Sequence, residues 1–233
     1  RAVIEAINSK KDIDKVFIQT GLKGKLIGQL ESLIRKNKIN FSYVPTQKLD
    51  RLSKKNHQGI IARISPIKFY DINEFSEIIE KSKIPFVLIL DQISDVRNFG
   101  AIIRTAEISG VDGIIIQNSS SAPINSDTVK TSAGAIFNIP ICKVSHIKDA
   151  IYHLQSMDIS IICASEKAEK NIYDVNFKKP LAIIMGSEQK GINKSVLSLS
   201  NEMIKLPMFG KIESLNVSVA CGIFLYEVVR QRI

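Results

Sequence analysis

Cysteine and histidine are scarce in this chain, and the few present are poorly placed for chemistry. Cys142, Cys163 and Cys221 stand singly in apolar surroundings, without the paired spacing of a zinc site or a disulfide framework. A reducing compartment is therefore expected. His57, His146 and His153 bring no carboxylate companion motif, so no metal centre is expected either. No uninterrupted apolar run approaches the ~20 residues that a bilayer crossing requires, and the opening Arg1-Ala2-Val3-Ile4-Glu5 has no signal-peptide architecture. A soluble protein with no membrane partner is the expectation. Two nucleotide-binding signatures are also missing. Gly186 and Gly191 flank a polar turn, but Ile192 and Asn193 stand where a Walker loop needs Lys and Ser/Thr, which excludes the ATPase reading. No glycine-rich dinucleotide fingerprint follows any predicted strand, which argues against a nicotinamide enzyme.

What is present is ordinary in amount and uneven in place. The 233 residues, 45% hydrophobic and 24% charged, suffice for one large domain or two smaller ones with a proper core. The net charge of +9 is concentrated at one end. Residues 1–68 hold 15 Lys/Arg against 5 Asp/Glu, residues 69–84 hold 2 against 4, and residues 85–233 hold 15 against 14. A basic first segment joined to a nearly neutral remainder points to a polyanion partner for the first. A solvated Lys-rich surface is the plain alternative.

Hydrophobic periodicity divides the chain in the same way. Residues 1–66 read as a small α/β domain, with helices near 2–8, 25–36 and 47–53 and strands near 16–19, 40–44 and 59–64. An acidic, amphipathic stretch between Pro66 and Pro85 reads as a linker, residues 67–84, carrying one short helix. From 85 to 233, continuous apolar runs at 86–90, 113–116, 139–144, 159–164, 181–185 and 203–206 alternate with helical patterns. That alternation predicts a parallel sheet covered on both faces, with ligands at the carboxyl ends of its strands.

Three strand-end segments carry polar residues that periodicity does not explain. In DQISDVRNFGAIIRTA, residues 91–106, Asp95 or Asn98 can cap a helix beginning near Phe99. Arg104 stands in an apolar context six positions after Asn98, close enough in helical phase for both to address one end of the sheet. A surface pair with Glu107 is the alternative. In LAIIMGSEQKGI, residues 181–192, the glycines suit a tight turn but leave Glu188 unexplained. In IKLPMFGKIESLNVSVACGIFLYEVVRQR, residues 204–232, the apolar positions cover both sides of a helix, the pattern of a buried one. Ser214, Asn216 and Ser218 precede or open that helix, as caps or as site residues.

These three segments, in this order, resemble the motifs of the SpoU/TrmH branch of the SPOUT methyltransferases, the RNA ribose 2'-O-methyltransferases. HQGIIARISP, residues 57–66, resembles the end of the L30e-like RNA-binding domain found before the methyltransferase domain in the RlmB-type 23S rRNA guanosine methyltransferases. The resemblance implies an α/β fold: a SPOUT-type parallel sheet with a C-terminal trefoil knot behind a small L30e-like domain. It implies S-adenosylmethionine as cofactor, with Gly186, Leu206 and Leu215 at the matching contact positions, RNA (rRNA above all) as substrate, and a homodimer with the site near its interface. Arg104 matches the family's catalytic arginine. As a cation with donors only, it suits stabilisation of a developing alkoxide better than proton abstraction. By the same match Asn98 orients the loop or the target nucleotide, Glu188 positions Arg104 or the hydroxyl, and Ser214 and Asn216 complete the polar wall, while Ser218 keeps its structural role at the helix start. Val96 stands where relatives carry Pro. The location implied is bacterial cytoplasm or an organelle of bacterial ancestry. A tRNA ribose methyltransferase and a noncatalytic RNA-binding or ribosome-assembly protein of the same fold are the alternatives.

Overall fold

The computed structural model describes residues 1–212 and 214–233; Glu213, within the third motif, lies outside the described residues. The chain forms two compact units, Arg1–Lys68 and Phe69–Ile233. In the first, the central strand β1 (Ile13–Gln19) pairs in parallel with β2 (Phe41–Val44) and antiparallel with β3 (Ile60–Ile64). Because successive side chains of a strand alternate between faces, β1 builds two small cores. Val16 and Ile18 meet Ile7 of α1 (Ala2–Asn8) and Leu30 and Ile34 of α2 (Lys25–Lys36), while Phe17 meets Leu49 of α3 (Thr46–Leu52).

The second unit is a seven-stranded sheet. Its strands are β4 (Phe86–Asp91), β5 (Gly113–Gln117), β6 (Ile141–Val144), β7 (Ser160–Ala164), β8 (Lys170–Asn171), β9 (Leu181–Gly186) and β10 (Glu202–Lys205). They lie in the order β6-β5-β4-β9-β7-β10-β8, every pairing parallel. Strand β8 has only two residues, too few to leave a period in the sequence. Strand β6 starts at Ile141 rather than 139, since Pro140 has no N–H to give to a ladder.

The stretch expected to be a linker behaves differently from Phe69 onward. Asp71 and Glu74 form a reciprocal capping box that starts α4 (Ile72–Ile79). Phe75 and Ile79 of this helix are buried with Val87, Ile115 and Cys142, and Tyr70 bridges to Cys142. A Cβ at Gly113 would collide with the Phe75 ring, so the glycine makes room for the helix. The acidic face that suggested a linker hides an apolar stripe at helical spacing, and it binds α4 to the second unit.

Four further helices and a C-terminal one complete this unit: α5 (Val96–Ile108), α6 (Ser126–Thr131), α7 (Ile147–Ser156), α8 (Lys194–Leu197) and α9 (Val217–Arg232). Ala150, Ile151 and Leu154 of α7 and Val196 of α8 join α4 over one face of the sheet. On α5 and α9 the side chains of Phe99, Ile102, Ile103, Cys221, Phe224 and Val228 are buried, and the two helices lie against each other. Helix α9 is not buried all round as expected: Val219 (53%), Ile223 (38%) and Tyr226 (51%) are exposed in the single chain. No helix among the described residues is long and apolar enough to cross a membrane.

Candidate active site

Because all strands run one way, the loops after β4, β9 and β10 open at the same edge of the sheet, the usual place for a ligand in this architecture. Each loop is built by ordinary local rules. Asp95, in extended conformation, caps α5 by accepting from the Asn98 N–H at 2.8 Å. The helix thus begins at Val96, three residues earlier than Phe99, and Asn98 is released from capping. The carboxylate of buried Asp91 accepts from the Asn193 N–H at 2.8 Å, tying the end of β4 to the turn after β9. In that turn Ser187 and Gly191 exchange both backbone hydrogen bonds. A Cβ at Gly186 would collide with the Gly191 backbone, and Gly191 itself has φ +65°. Both glycines are therefore required by the turn itself, whereas close approach of a ligand was the expected reason at Gly186.

Asn98, Glu188 and Asn216 meet at the mouth between these loops. Glu188 Oε1 accepts from Asn98 Nδ2 at 2.9 Å, from Asn216 Nδ2 at 2.9 Å and from the Val217 N–H at 3.3 Å. Asn216 Nδ2 also donates to Asn98 Oδ1 at 3.0 Å. The orientation of the Asn216 amide is settled by its surroundings. Its Oδ1 accepts from the N–H groups of Ser218 and Val219 and from Ser218 Oγ, so its nitrogen must face Glu188. One amide thus caps α9 with its oxygen and braces the site with its nitrogen. The capping reading of Asn216 is the one the helix start displays, and Ser218, whose hydroxyl donates to Asn216 Oδ1, supports that cap. With three donors on one oxygen, Glu188 has Oε2 without a partner among the described residues.

Two clefts open on either side of residues 187–190. The first, of about 330 Å³, is lined by Gly186, Leu206, Ser214 and Leu215, with Met185, Met208 and Phe224 as apolar walls. All three expected cofactor-contact positions thus line one cleft, with Ser214 beside them. The second, of about 400 Å³, is lined by Gln92, Ser94, Asp95, Asn98, Ser120 and Lys190 among others. Glu188 and Val217 line both. Gln92, Ser120 and Lys190 were not singled out in the sequence. The left-handed backbone of Gln92 (φ +62°) leaves no periodic signal, and Ser120 and Lys190 sit in polar turns.

Arg104 is placed apart. Six residues along α5 from Asn98 amounts to about 9 Å of helix and a rotation of about 600°, so it lines neither cleft. It is exposed and makes no hydrogen bond or ion pair among the described residues. Glu107, its expected alternative partner, instead accepts from Asn138 at 3.2 Å. The phase argument that put Arg104 with Asn98 fails within one chain, because a rotation of about 600° leaves the two side chains about 120° apart around the helix as well as a helical rise apart. Burial pushes the thiols of Cys142, Cys163 and Cys221 up to about 12, so none supplies a thiolate at neutral pH.

Val96 occupies the first position of α5, where no intrahelical partner for its N–H is needed, and Asp95 before it has φ −77° and ψ 126°. Both conditions suit proline. Val96→Pro is expected to stabilise the protein by about 0.4–1 kcal/mol, through the unfolded chain, raising Tm by about 1–4 °C in a thermal melt.

Residues 85–226 match the SpoU rRNA Methylase family, and residues 1–70 match the RNA 2'-O ribose methyltransferase substrate binding family. A Bacillus subtilis protein named as a TrmH family tRNA/rRNA methyltransferase, YacO, is 34% identical over 99% of this chain and 93% of its own length. A Staphylococcus saprophyticus protein with the same family name is 37% identical over 99% and 93%. Among solved structures, the AdoMet-bound rRNA methyltransferase of Sinorhizobium meliloti superposes with a TM-score of 0.66 at 22% identity, covering 99% of this chain and 85% of its own. A parallel sheet with three converging polar loops, matched over 85–226, leads to one assignment: the chain belongs to the SpoU rRNA methylase family.

Proposed function

We propose that this protein is an S-adenosylmethionine-dependent ribose 2'-O-methyltransferase that modifies a guanosine of large-subunit ribosomal RNA, in the manner of the RlmB-type enzymes. The observation that carries the reading is the Asn98–Glu188–Asn216 network at the junction of two clefts, one per reactant. The lining of the 330 Å³ cleft fits the cofactor. Leu206, Leu215, Met208 and Phe224 offer apolar surface for an adenine, and the charged lining, Glu166 and Glu188 with Lys167, Lys190 and Lys205, offers polar groups of both signs to the ends of an amino-acid moiety. When bound, S-adenosylmethionine supplies an electrophilic methyl group for in-line displacement by a ribose 2'-oxygen.

The chain's own contribution is alignment and charge. Glu188 is held by three donors, so its second oxygen has a fixed position from which to accept the 2'-hydroxyl proton or orient that hydroxyl. Ser214 extends the polar wall along the first cleft. A cation is needed to stabilise the developing alkoxide, and Arg104, unpartnered and exposed, is suited to it. Since Arg104 lines neither cleft of its own chain, a homodimer brings it to the site from a second copy. The exposed apolar side chains on the packed pair α5 and α9, Ile108, Val219, Ile223 and Tyr226, support that interface.

The first unit supplies RNA affinity. Its surplus of ten positive charges across residues 1–68 acts through phosphate contacts, each contributing about 0.7–0.9 to the slope of log K against log salt. Protein lacking residues 1–68 is expected to bind RNA more weakly and with a flatter salt slope in filter binding. An unchanged slope removes the RNA-binding role from this unit. The main test is transfer of tritiated methyl from S-adenosylmethionine to unmodified rRNA and tRNA, followed by mapping of 2'-O-methyl marks. A mark on a large-subunit guanosine supports the full reading. A mark on tRNA alone moves the substrate to the second reading, which the tRNA/rRNA naming of the relatives keeps in view.

A further inference from the structure

Among the residues lining the second cleft, Gln92 is held in a conformation that its own chemistry disfavours. It follows the last residue of β4 with φ +62°, a left-handed backbone that glycine and asparagine adopt readily and a long side chain does not. Observed strain at a cleft is a reason to ask what the side chain does there. Gln92 makes no hydrogen bond among the described residues and is only half-buried, so its amide offers a free donor and a free acceptor. Ser120 lies among the same lining residues, and Asn98 and Glu188 connect the cleft to the junction with the first one. The volume of about 400 Å³ falls in the range of small-molecule sites and is roomy enough for a nucleoside turned out of an RNA strand.

We propose that Gln92 is a specificity-determining residue, whose amide reads the base of the target nucleotide seated in the cleft that Gln92 and Ser120 help to line. A carboxamide presents one donor and one acceptor side by side. It can give a hydrogen bond to O6 of a guanine while accepting one from N1–H. The nucleotide's ribose then lies toward Glu188, the wall common to both clefts. This inference rests on the methyltransferase reading above.

The test uses the full-length chain and an RNA transcript that the wild type methylates. Gln92→Gly removes the amide and relieves the backbone, so Tm holds or rises and the dissociation constant for S-adenosylmethionine is unchanged. The KM for RNA rises about tenfold, the discrimination of a good bidentate base contact. A merely structural role predicts the opposite pairing, with activity following stability. Ser120→Tyr puts a bulky ring on another lining residue of the cleft and is expected to abolish RNA turnover while S-adenosylmethionine still binds. A KM for RNA within twofold of wild type in Gln92→Gly overturns the assignment, whatever Ser120→Tyr does. Wild-type protein that methylates no RNA overturns the methyltransferase reading, and this inference with it. A changed Gln92→Gly KM beside normal wild-type turnover supports both.

Discussion

Arg104→Ala is expected to lower kcat by about 10³-fold, the loss that follows removal of one preorganised donor facing developing charge, while the dissociation constant for S-adenosylmethionine stays within about twofold. The asymmetry follows from placement. Arg104 touches neither cleft of its own chain and has no partner among the described residues, so its loss disturbs neither cofactor lining nor packing, and Tm should hardly move. A guanidinium supplied by a second copy makes a sharper prediction. Equimolar Arg104→Ala and Asn216→Ala proteins, each inactive alone, regain activity when unfolded together and refolded. One site of each mixed dimer then receives an intact Arg104 and an intact Asn216. If Arg104 acts within its own chain, both sites carry a defect and no activity returns. Asn216→Ala also loses the α9 cap, at a cost of about 1 kcal/mol, which a melt measures separately.

The largest expected effect on stability lies at the other end of α9. Arg232 donates Nη1 to Ile84 O at 2.8 Å, Nη2 to Lys179 O at 2.8 Å and Nε to Phe177 O at 3.1 Å, and it lies over the Phe86 ring at 5.1 Å. Beside it, Gln231 accepts from the Phe177 N–H and donates to Val175 O. Every one of these groups belongs to the segments entering β4 and β9, the two central strands that carry the site loops. Arg232→Ala leaves two part-buried carbonyls, Phe177 O and Lys179 O, and the exposed Ile84 O short of a donor, and is expected to cost about 3 kcal/mol. For a chain of this size that lowers Tm by about 6–12 °C. Arg232→Lys keeps the charge but not the fork, and it should recover only part of the loss. Arg104→Ala and Arg232→Ala thus separate cleanly: one removes activity at constant stability, the other stability first.

The residues that were legible in the sequence are those whose signal is local. The helix over 25–36 and the strand at 113–116 follow from apolar spacing that any packed version of those segments must respect. Glu188 stood out because its turn gave no reason for it, whereas Asn98 and Asn216, which capping alone could explain, were picked out by the resemblance of their segments to the SpoU motifs. What misled was the neglect of distance and of packing. Six-residue spacing was taken to put Arg104 with Asn98, although about 120° of rotation and about 9 Å of rise along α5 separate them. The acidic character of 67–84 suggested a linker, although Phe75 and Ile79 were free to bury themselves over Gly113. Strand β8 and the strained Gln92 left nothing periodic to read.

By itself, then, the amino-acid sequence determined the alternation of strands and helices, the basic first unit, and the three polar segments, because each depends on neighbours within a few residues. The tertiary structure alone decided that side chains 118 positions apart, Asn98 and Asn216, share a hydrogen bond. It likewise decided that Gly186 serves a turn and that Arg104 stands outside both clefts. Those outcomes depend on strand order and on where parallel crossovers return the chain, quantities that no local period encodes.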